Sequence, residues 1–304
     1  MSKNKKIVVG NCILIRGRCE EVMEYLESES IDAVATDPPY LYLKHKLDIP
    51  FDEDKVFSEW KRLLKNNSMI AFFGRGDAFF RWNLILEKLG FKFKKSAVWE
   101  KENASNYLNN FLRIHEDISF RTYGNGNLRK EYVDYLEYNI NKNRLDRIIT
   151  VWKNLRSALR GKDKELAIKY IETGIKEFTY ESKRKYELTS GKHKGACRGV
   201  NLFQTVKIGK VETSIMRCNR EQYKYEHPTQ KPVALMERIV KLVSDEGNTI
   251  LDPFMGGGST AIACINTNRK FIGIEIDDEY FEVACKRVRQ KYGEINNEKC
   301  KQAA

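Results

Sequence analysis

An apolar run that ends on two prolines constrains this chain more than any other stretch. Ile31, Ala33, Val34 and Ala35 form a short, almost uncharged segment with the composition of a strand buried on both faces. It stops at Asp37-Pro38-Pro39-Tyr40. Prolines lack the N–H that a sheet ladder needs, and they hold the backbone in a stiff, extended turn. An acid, a stiffened carbonyl and an aromatic ring therefore stand together at the C-terminal end of a strand. In open α/β sheets that edge binds ligands.

This set of groups suits one chemical problem. An exocyclic amine on a nucleobase is a poor nucleophile, because its lone pair is delocalised into the ring. The Asp37 carboxylate and the Pro38 carbonyl can each accept one N–H, which holds the amine and turns its lone pair out of the ring plane. Tyr40 offers a face on which the base can stack. The catalytic effect would be positioning and electrostatics, without a covalent intermediate. Taken alone, the tetrapeptide also fits an ordinary Asp-Pro turn at a strand end.

Strand-like and helix-like periods alternate on both sides of a long interruption, which indicates a layered α/β fold. Strands are expected over 7–9, 31–36, 69–73, 91–99 and 114–122, and helices over 18–26, 56–64 and 79–89. Alternation resumes with a helix over 232–243, a strand over 249–251, a helix over 259–265, a strand over 271–276 and a last helix over 278–292. The segment from Gly124 to Glu226 carries 23 lysines and arginines against 13 acids, and so holds +10 of the chain's net charge of +12. A basic block of this size beside a near-neutral remainder reads as a polyanion footprint, the plainer alternative being a solvated charged face. Helix-like spacing appears in it over 132–140 and 144–159, and Gly191 to Gly199 reads as a basic, glycine-rich loop. The expected organisation is a first catalytic part (1–123), a basic insert (124–226), a second part (227–293) and a frayed polar tail (294–304).

No apolar run reaches membrane-spanning length, and the N-terminus lacks the apolar core of a signal peptide. The seven cysteines are scattered, with no C-x-x-C pair. They point to a reducing cytoplasm and away from a disulfide framework or a metal site.

The second constellation is Asp252-Pro253-Phe254-Met255-Gly256-Gly257-Gly258-Ser259-Thr260, between a strand and a helix. Its glycines allow close backbone approach to a ligand. Ser259 and Thr260 can cap the helix or bind a carboxylate at its positive end. Glu275 ends the next strand, where two oxygens could hold ribose hydroxyls. The spacing is not G-x-G-x-x-G, which argues against a pyrophosphate binder and against a nicotinamide-dependent oxidoreductase.

Together, DPPY and DPFMGGGST resemble the S-adenosylmethionine-dependent amino-methyltransferases of DNA. The order, with DPPY first and a basic insert between, resembles the β class. HPTQKP (His227 to Pro232), FIGIEID (Phe271 to Asp277) and His115-Glu116 add to the likeness, which covers about residues 6–122 and 227–292. The resemblance implies a doubly wound, mostly parallel, Rossmann-like α/β sheet in circularly permuted order, with the insert as target-recognition region. It makes Asp37, Pro38, Pro39 and Tyr40 the catalytic motif. It makes Asp252, Pro253, Phe254, Gly256, Gly258, Ser259 and Thr260 the wrap around the methionine moiety, with Asp37 beside it. Glu275 would bind the ribose, and Lys231 would reach the carboxylate. The family's usual Gly-Asp-Cys is matched to Gly10-Asn11-Cys12, where Asn11 would keep an altered contact with the cofactor's adenine. Lys183, Arg184, Lys185, Lys192, Lys194 and Arg198 are the expected phosphate contacts. The implied activity is adenine-N6 methylation of a base flipped out of double-stranded DNA, of the kind found in restriction–modification systems. Cytosine-N4 methylation is the near alternative, and a catalytically silent DNA-binding module on the same fold is the more distant one. Members of this class are often homodimers.

Overall fold

The computed structural model describes residues 5–40, 48–101, 114–133, 152–157, 159, 164–173, 178–182, 193–196, 202–203, 206–218 and 230–302. The chain forms two compact units, one of Met1–Lys130 with Thr213–Ala304 and one of Glu131–Glu212.

The first unit begins with strands β1 (Lys6–Val9) and β2 (Cys12–Arg16), then helix α1 (Cys19–Val22), which runs on as one 3₁₀ turn. Next come β3 (Ile31–Thr36), α2 (Glu53–Leu63), β4 (Leu64–Gly74), α3 (Gly76–Lys88), β5 (Lys92–Glu100) and β6 (His115–Thr122). The second unit holds β7 (Tyr132–Val133), α4 (Lys164–Thr173), β8 (Phe178–Ser182), β9 (His193–Ala196) and β10 (Lys210–Val211). The first unit then resumes with β11 (Ile215–Arg217), α5 (Val233–Val243), β12 (Thr249–Asp252), α6 (Ser259–Asn266), β13 (Lys270–Glu275) and α7 (Asp278–Gln302).

Nine strands form one sheet in the order β1-β2-β13-β12-β3-β4-β6-β5-β11. From β2 to β4 all neighbours run parallel, whereas β1 and β6 run antiparallel to theirs. The sheet is thus mostly parallel and covered on both faces, as strands this apolar require. Along β4, Met69, Ala71 and Phe73 join the core beneath α5, α6 and α7, while Ile70 and Phe72 join the core beneath α1, α2 and α3. Helix α2 shows how the sequence specifies its place. Val56, Phe57, Trp60 and Leu63 recur at helical spacing and are buried. Asp52 caps its start by accepting the Lys55 N–H at 3.0 Å. Acids in the first turn and bases in the last complement the helix dipole. Each such buried side chain contributes roughly 1.5–3 kcal/mol.

Several expectations change. β2 was not foreseen, because its five residues lie between Gly10 and Gly17 and show no alternation. Residues 132–133 begin the stretch read as a helix, yet they pair as a strand with β10, and 134–140 lie outside the described residues. Of the helix read over 144–159, residues 152–157 are helical. His193–Ala196, read as loop, pairs antiparallel with β8. Ile215–Arg217 falls in the stretch assigned to the insert, but it extends the main sheet along β5. The final helix runs to Gln302 rather than fraying at Gly293. One interior glycine costs only about 1 kcal/mol, less than its helix-forming neighbours can offset.

Candidate active site

The strand register gathers the site at one edge. β3, β12 and β13 are adjacent and parallel, so Asp37, the glycine turn and Glu275 all stand at strand C-termini on the same side. The connections leave β12 and β3 in opposite directions, to β13 and to β4, which makes this the switch point of the sheet. Because β6 runs antiparallel to β4, its first residues, His115 and Glu116, reach the same edge.

Asp252 braces the two halves. Its Oδ1 accepts the Thr36 hydroxyl at 2.6 Å and the Phe254 N–H at 3.2 Å, and its Oδ2 accepts the Thr260 hydroxyl at 2.6 Å. Burial pushes this carboxyl up to about 6, against the pull of those donors. Asp252 and Thr260 were expected to touch a cofactor; their side chains instead tie the end of β3 to the start of α6. Gly256 and Gly258 have φ of +52° and +78°, in the left-handed region that favours glycine. A Cβ on Gly258 would stand 3.0 Å from the Ala284 Cβ. Glu275 accepts the Gly256 N–H at 2.7 Å with one oxygen and the Asp277 N–H at 2.8 Å with the other. Burial raises it to about 7 despite these bonds. Each oxygen still has a second lone pair to offer. Ser259 Oγ is buried at the start of α6 without a hydrogen-bond partner among the described residues. Pro253 is buried behind the turn. The Phe254 ring lies 4.8 Å from that of Phe51.

At the other half, Asp37 uses both oxygens. Oδ1 accepts the Tyr40 hydroxyl and Oδ2 accepts an N–H from the Lys231 ammonium. Lys231 Nζ also lies 3.1 Å from Glu116 Oε2, and Glu116 Oε1 takes Lys101. The Lys231 charge stands over the rings of Phe73 at 4.7 Å and Tyr40 at 5.9 Å. Burial pushes the Asp37 carboxyl up; Lys231 pulls it back, Glu116 adds repulsion, and the net shift is upward. Burial opposes the Lys231 charge, yet Asp37 and Glu116 hold its ammonium above the ordinary lysine range. Glu116 would also rise on burial, but Lys231 and Lys101 hold it at about 2. Lys231 was expected to reach a cofactor carboxylate. Among the described residues its ion-pair partners are the two protein carboxylates. Pro38 is buried and Pro39 half-buried directly after β3, and the Tyr40 ring is 6.1 Å from that of Trp82.

The expectation for Asn11 and Cys12 is overturned. Cys12 pairs with Phe271 at the start of β13, whereas Arg16 pairs with Glu275 at its end. Four residues at about 3.3 Å each put Cys12 about 13 Å along the strand from the cofactor edge. The Asn11 N–H donates to the Tyr292 hydroxyl at 2.8 Å. Gly10 has φ +54°, and a Cβ there would lie 2.3 Å from the Tyr292 ring. Cys12 is fully buried, which drives its thiol up to about 12. Gly10 and Asn11 form the hairpin turn between β1 and β2 at the opposite edge, and Cys12 begins β2. A second Gly-x-Cys, Gly17-Arg18-Cys19, stands at the right one: the Gly17 N–H donates to the Glu275 carbonyl at 2.9 Å. Its middle residue is Arg18, which donates to the buried Glu20 at 2.9 Å and to the Pro50 carbonyl at 3.3 Å. Lys183, Arg184, Lys185, Lys192 and Arg198 lie outside the described residues, and Lys194 is placed only as a backbone position in β9.

A family model described as DNA methylase matches residues 31–286. The Type II methyltransferase M.HpaI of Haemophilus parainfluenzae is 26% identical over 291 residues, covering 92% of this chain and 74% of that protein. M2.LlaDCHI of Lactococcus lactis subsp. cremoris is 26% identical over 302 residues, covering 92% and 90%. Among solved structures, the M1.HpyAVI–SAM complex superposes with a TM-score of 0.52 at 21% identity, over 90% of this chain and 98% of that one. PvuII DNA methyltransferase, cytosine-N4-specific, superposes with a TM-score of 0.55 at 12% identity, over 95% and 94%. At these identities the two structures are alike in fold.

Proposed function

The chain belongs to the DNA methylase family, and from that premise we propose that it moves the methyl group of S-adenosylmethionine to the exocyclic N6 of an adenine flipped out of duplex DNA. The observation that carries this reading is the adjacency of two sites at the switch point: Asp37-Pro38-Pro39-Tyr40 after β3, and the glycine turn with Glu275 after β12 and β13. The residues present fit the cofactor. Glu275 would take its ribose hydroxyls, the left-handed glycines admit it against backbone, and the unpartnered Ser259 hydroxyl would take a polar group at the α6 N-terminus. When bound, S-adenosylmethionine supplies an electrophilic methyl group on its sulfonium. Asp37 and the Pro38 carbonyl would each accept an N–H of the amine, and Asp37 or water would take the proton that the nitrogen sheds. A base inside the helix cannot reach such a pocket, so the base must leave the stack.

Asp37 in the place where cytosine-N4 enzymes of this family more often have serine favours adenine. The test is direct. The purified protein is incubated with duplex DNA and labelled S-adenosylmethionine, and the digested nucleosides are identified by mass spectrometry. Labelled N6-methyl-2′-deoxyadenosine is the expected product. Labelled N4-methyl-2′-deoxycytidine would correct the base, and the absence of any labelled nucleoside would overturn the reading.

The basic insert is read as the DNA grip. If its side chains neutralise phosphates, log affinity should fall with log salt at about −0.9 per phosphate contact. Replacing Lys183, Arg184 and Lys185 together by alanine should weaken binding to all sequences alike and reduce the slope by up to about 2.7. The methylated base should not change, since phosphate contacts position while base-edge contacts specify. An unchanged slope in fluorescence-anisotropy titrations would remove these three residues from the interface.

A further inference from the structure

Lys101, Glu116, Lys231 and Asp37 form a row of alternating charges at the active-site edge, reached from β5, β6, the segment before α5 and β3. Their side chains are 11%, 12%, 8% and 22% exposed, so water screens them little. The proposed reaction explains Asp37 alone. Glu116 has no role in it, yet it is placed with care: Lys101 fixes one oxygen, and the other, Oε2, is buried 3.1 Å from Lys231 Nζ.

That arrangement answers a difficulty in the proposed chemistry. Asp37 is engaged by an ammonium, a far stronger donor than a neutral nucleobase amine. A carboxylate has lone pairs to spare, but its orientation is set by its strongest partner. For the amine to decide how Asp37 is turned, Lys231 must give way, and a buried ammonium cannot move into apolar surroundings without another anion. Glu116 Oε2 is that anion, and a small rotation of the Lys231 side chain would reach it.

We infer that Glu116 is a positioning residue for methyl transfer, receiving the Lys231 ammonium as the substrate amine takes Asp37. The inference rests on the reading of Asp37 as the acceptor of that amine. Lys101 holds Glu116 in place, and the Lys231 ammonium stands 4.7 Å over the Phe73 ring, an apolar surface that favours a cation. No bond is made or broken in the handover and the charge of the row is unchanged.

Glu116→Gln keeps the shape and removes the anion. Its kcat is expected to fall about 10- to 100-fold, the scale of a slight misplacement of a reacting group. The KM for S-adenosylmethionine should stay within about twofold, because the glycine turn is untouched. The decisive readout is a cycle with Lys231→Met. If Glu116 acts through Lys231, Glu116→Gln should cost nothing further once the ammonium is gone. Additive losses, or a Glu116→Gln protein with wild-type kcat, would overturn the inference. Should Glu116→Gln not fold, Glu116→Asp serves, since it keeps a charge for Lys101 but draws the second oxygen back by about 1.5 Å. It should show the same loss of kcat, and a wild-type kcat would again overturn the proposal. Asp37→Ala is measured in parallel. If that variant retains turnover, the acceptor reading falls and the handover with it. If Asp37→Ala is inactive while Glu116→Gln is unaffected, the handover alone falls.

Discussion

Asp37→Ala is expected to lower the single-turnover rate of methyl transfer by about 1,000-fold or more, because it removes the charged acceptor that would orient the amine. The fold should survive. Asp37 lies beyond the end of β3 and, among the described residues, holds no backbone group of the sheet. Removing one partner of a buried ion pair normally costs about 3–5 kcal/mol by leaving a bare charge. Here Lys231 keeps Glu116 at 3.1 Å, so the loss should be well below that range. Affinity for S-adenosylmethionine should change far less than the rate. Asp37→Asn gives a sharper version, since the amide is isosteric but turns a donor towards either Lys231 or the amine. Rapid-quench measurements at saturating cofactor and DNA decide the matter. A purified, folded mutant of near-wild-type rate would end the proposed role of Asp37.

The sequence made the parts of the site visible through local chemistry, and it was blind where long-range register decided the outcome. Asp37-Pro38-Pro39-Tyr40 was legible because prolines end a strand whatever surrounds them. The glycine turn was legible because only glycine suits its left-handed positions. Glu275 followed from being the acid that closes the next apolar strand. Ahead of β3 stand two Gly-x-Cys triplets seven residues apart, and nothing local separates them. Only the pairing of Cys12 with Phe271 and of Arg16 with Glu275 shows that the first faces the wrong edge. The sequence also suggested ligands where the structure has braces. Asp252 and Thr260 stand in a cofactor motif, but their side chains bond to each other and to Thr36. Glu116 was marked by the His-Glu pair without a role, and Lys101 carried no signal. Both gain meaning only because β6 runs antiparallel and brings its first residues to the edge where β3 ends.

Affinity for S-adenosylmethionine is expected to rise about tenfold per pH unit up to about pH 7 and then to level off. Glu275 sets this dependence. In the free protein burial holds its carboxyl at about 7, so it keeps a proton where an ordinary glutamic acid has lost one. Ribose hydroxyls donate hydrogen bonds to the charged carboxylate and favour it over the acid. Binding below pH 7 must therefore release a proton, and it grows easier as pH rises. The same group acts on stability with the opposite sign. Between the ordinary value of 4.5 and about 7 the folded state holds the extra proton, so unfolding free energy falls as pH rises through that window. The full loss from this group is about 3 kcal/mol, and bound cofactor should restore part of it. Asp252, raised to about 6, adds to the stability trend. It should not add to the affinity trend, because Thr36 and Thr260 already occupy its oxygens. The amino group of the cofactor itself titrates near this range. Glu275→Gln, which keeps an acceptor oxygen, retains that contribution and removes only the carboxyl. Calorimetric titrations from pH 5.5 to 8.5 should give a steep rise in affinity for the wild type and a shallow one for Glu275→Gln. At pH 8 the variant should bind more weakly by roughly 1–3 kcal/mol, the scale of lost charge-assisted hydrogen bonds. Equal slopes in the two proteins would show that Glu275 does not hold the ribose.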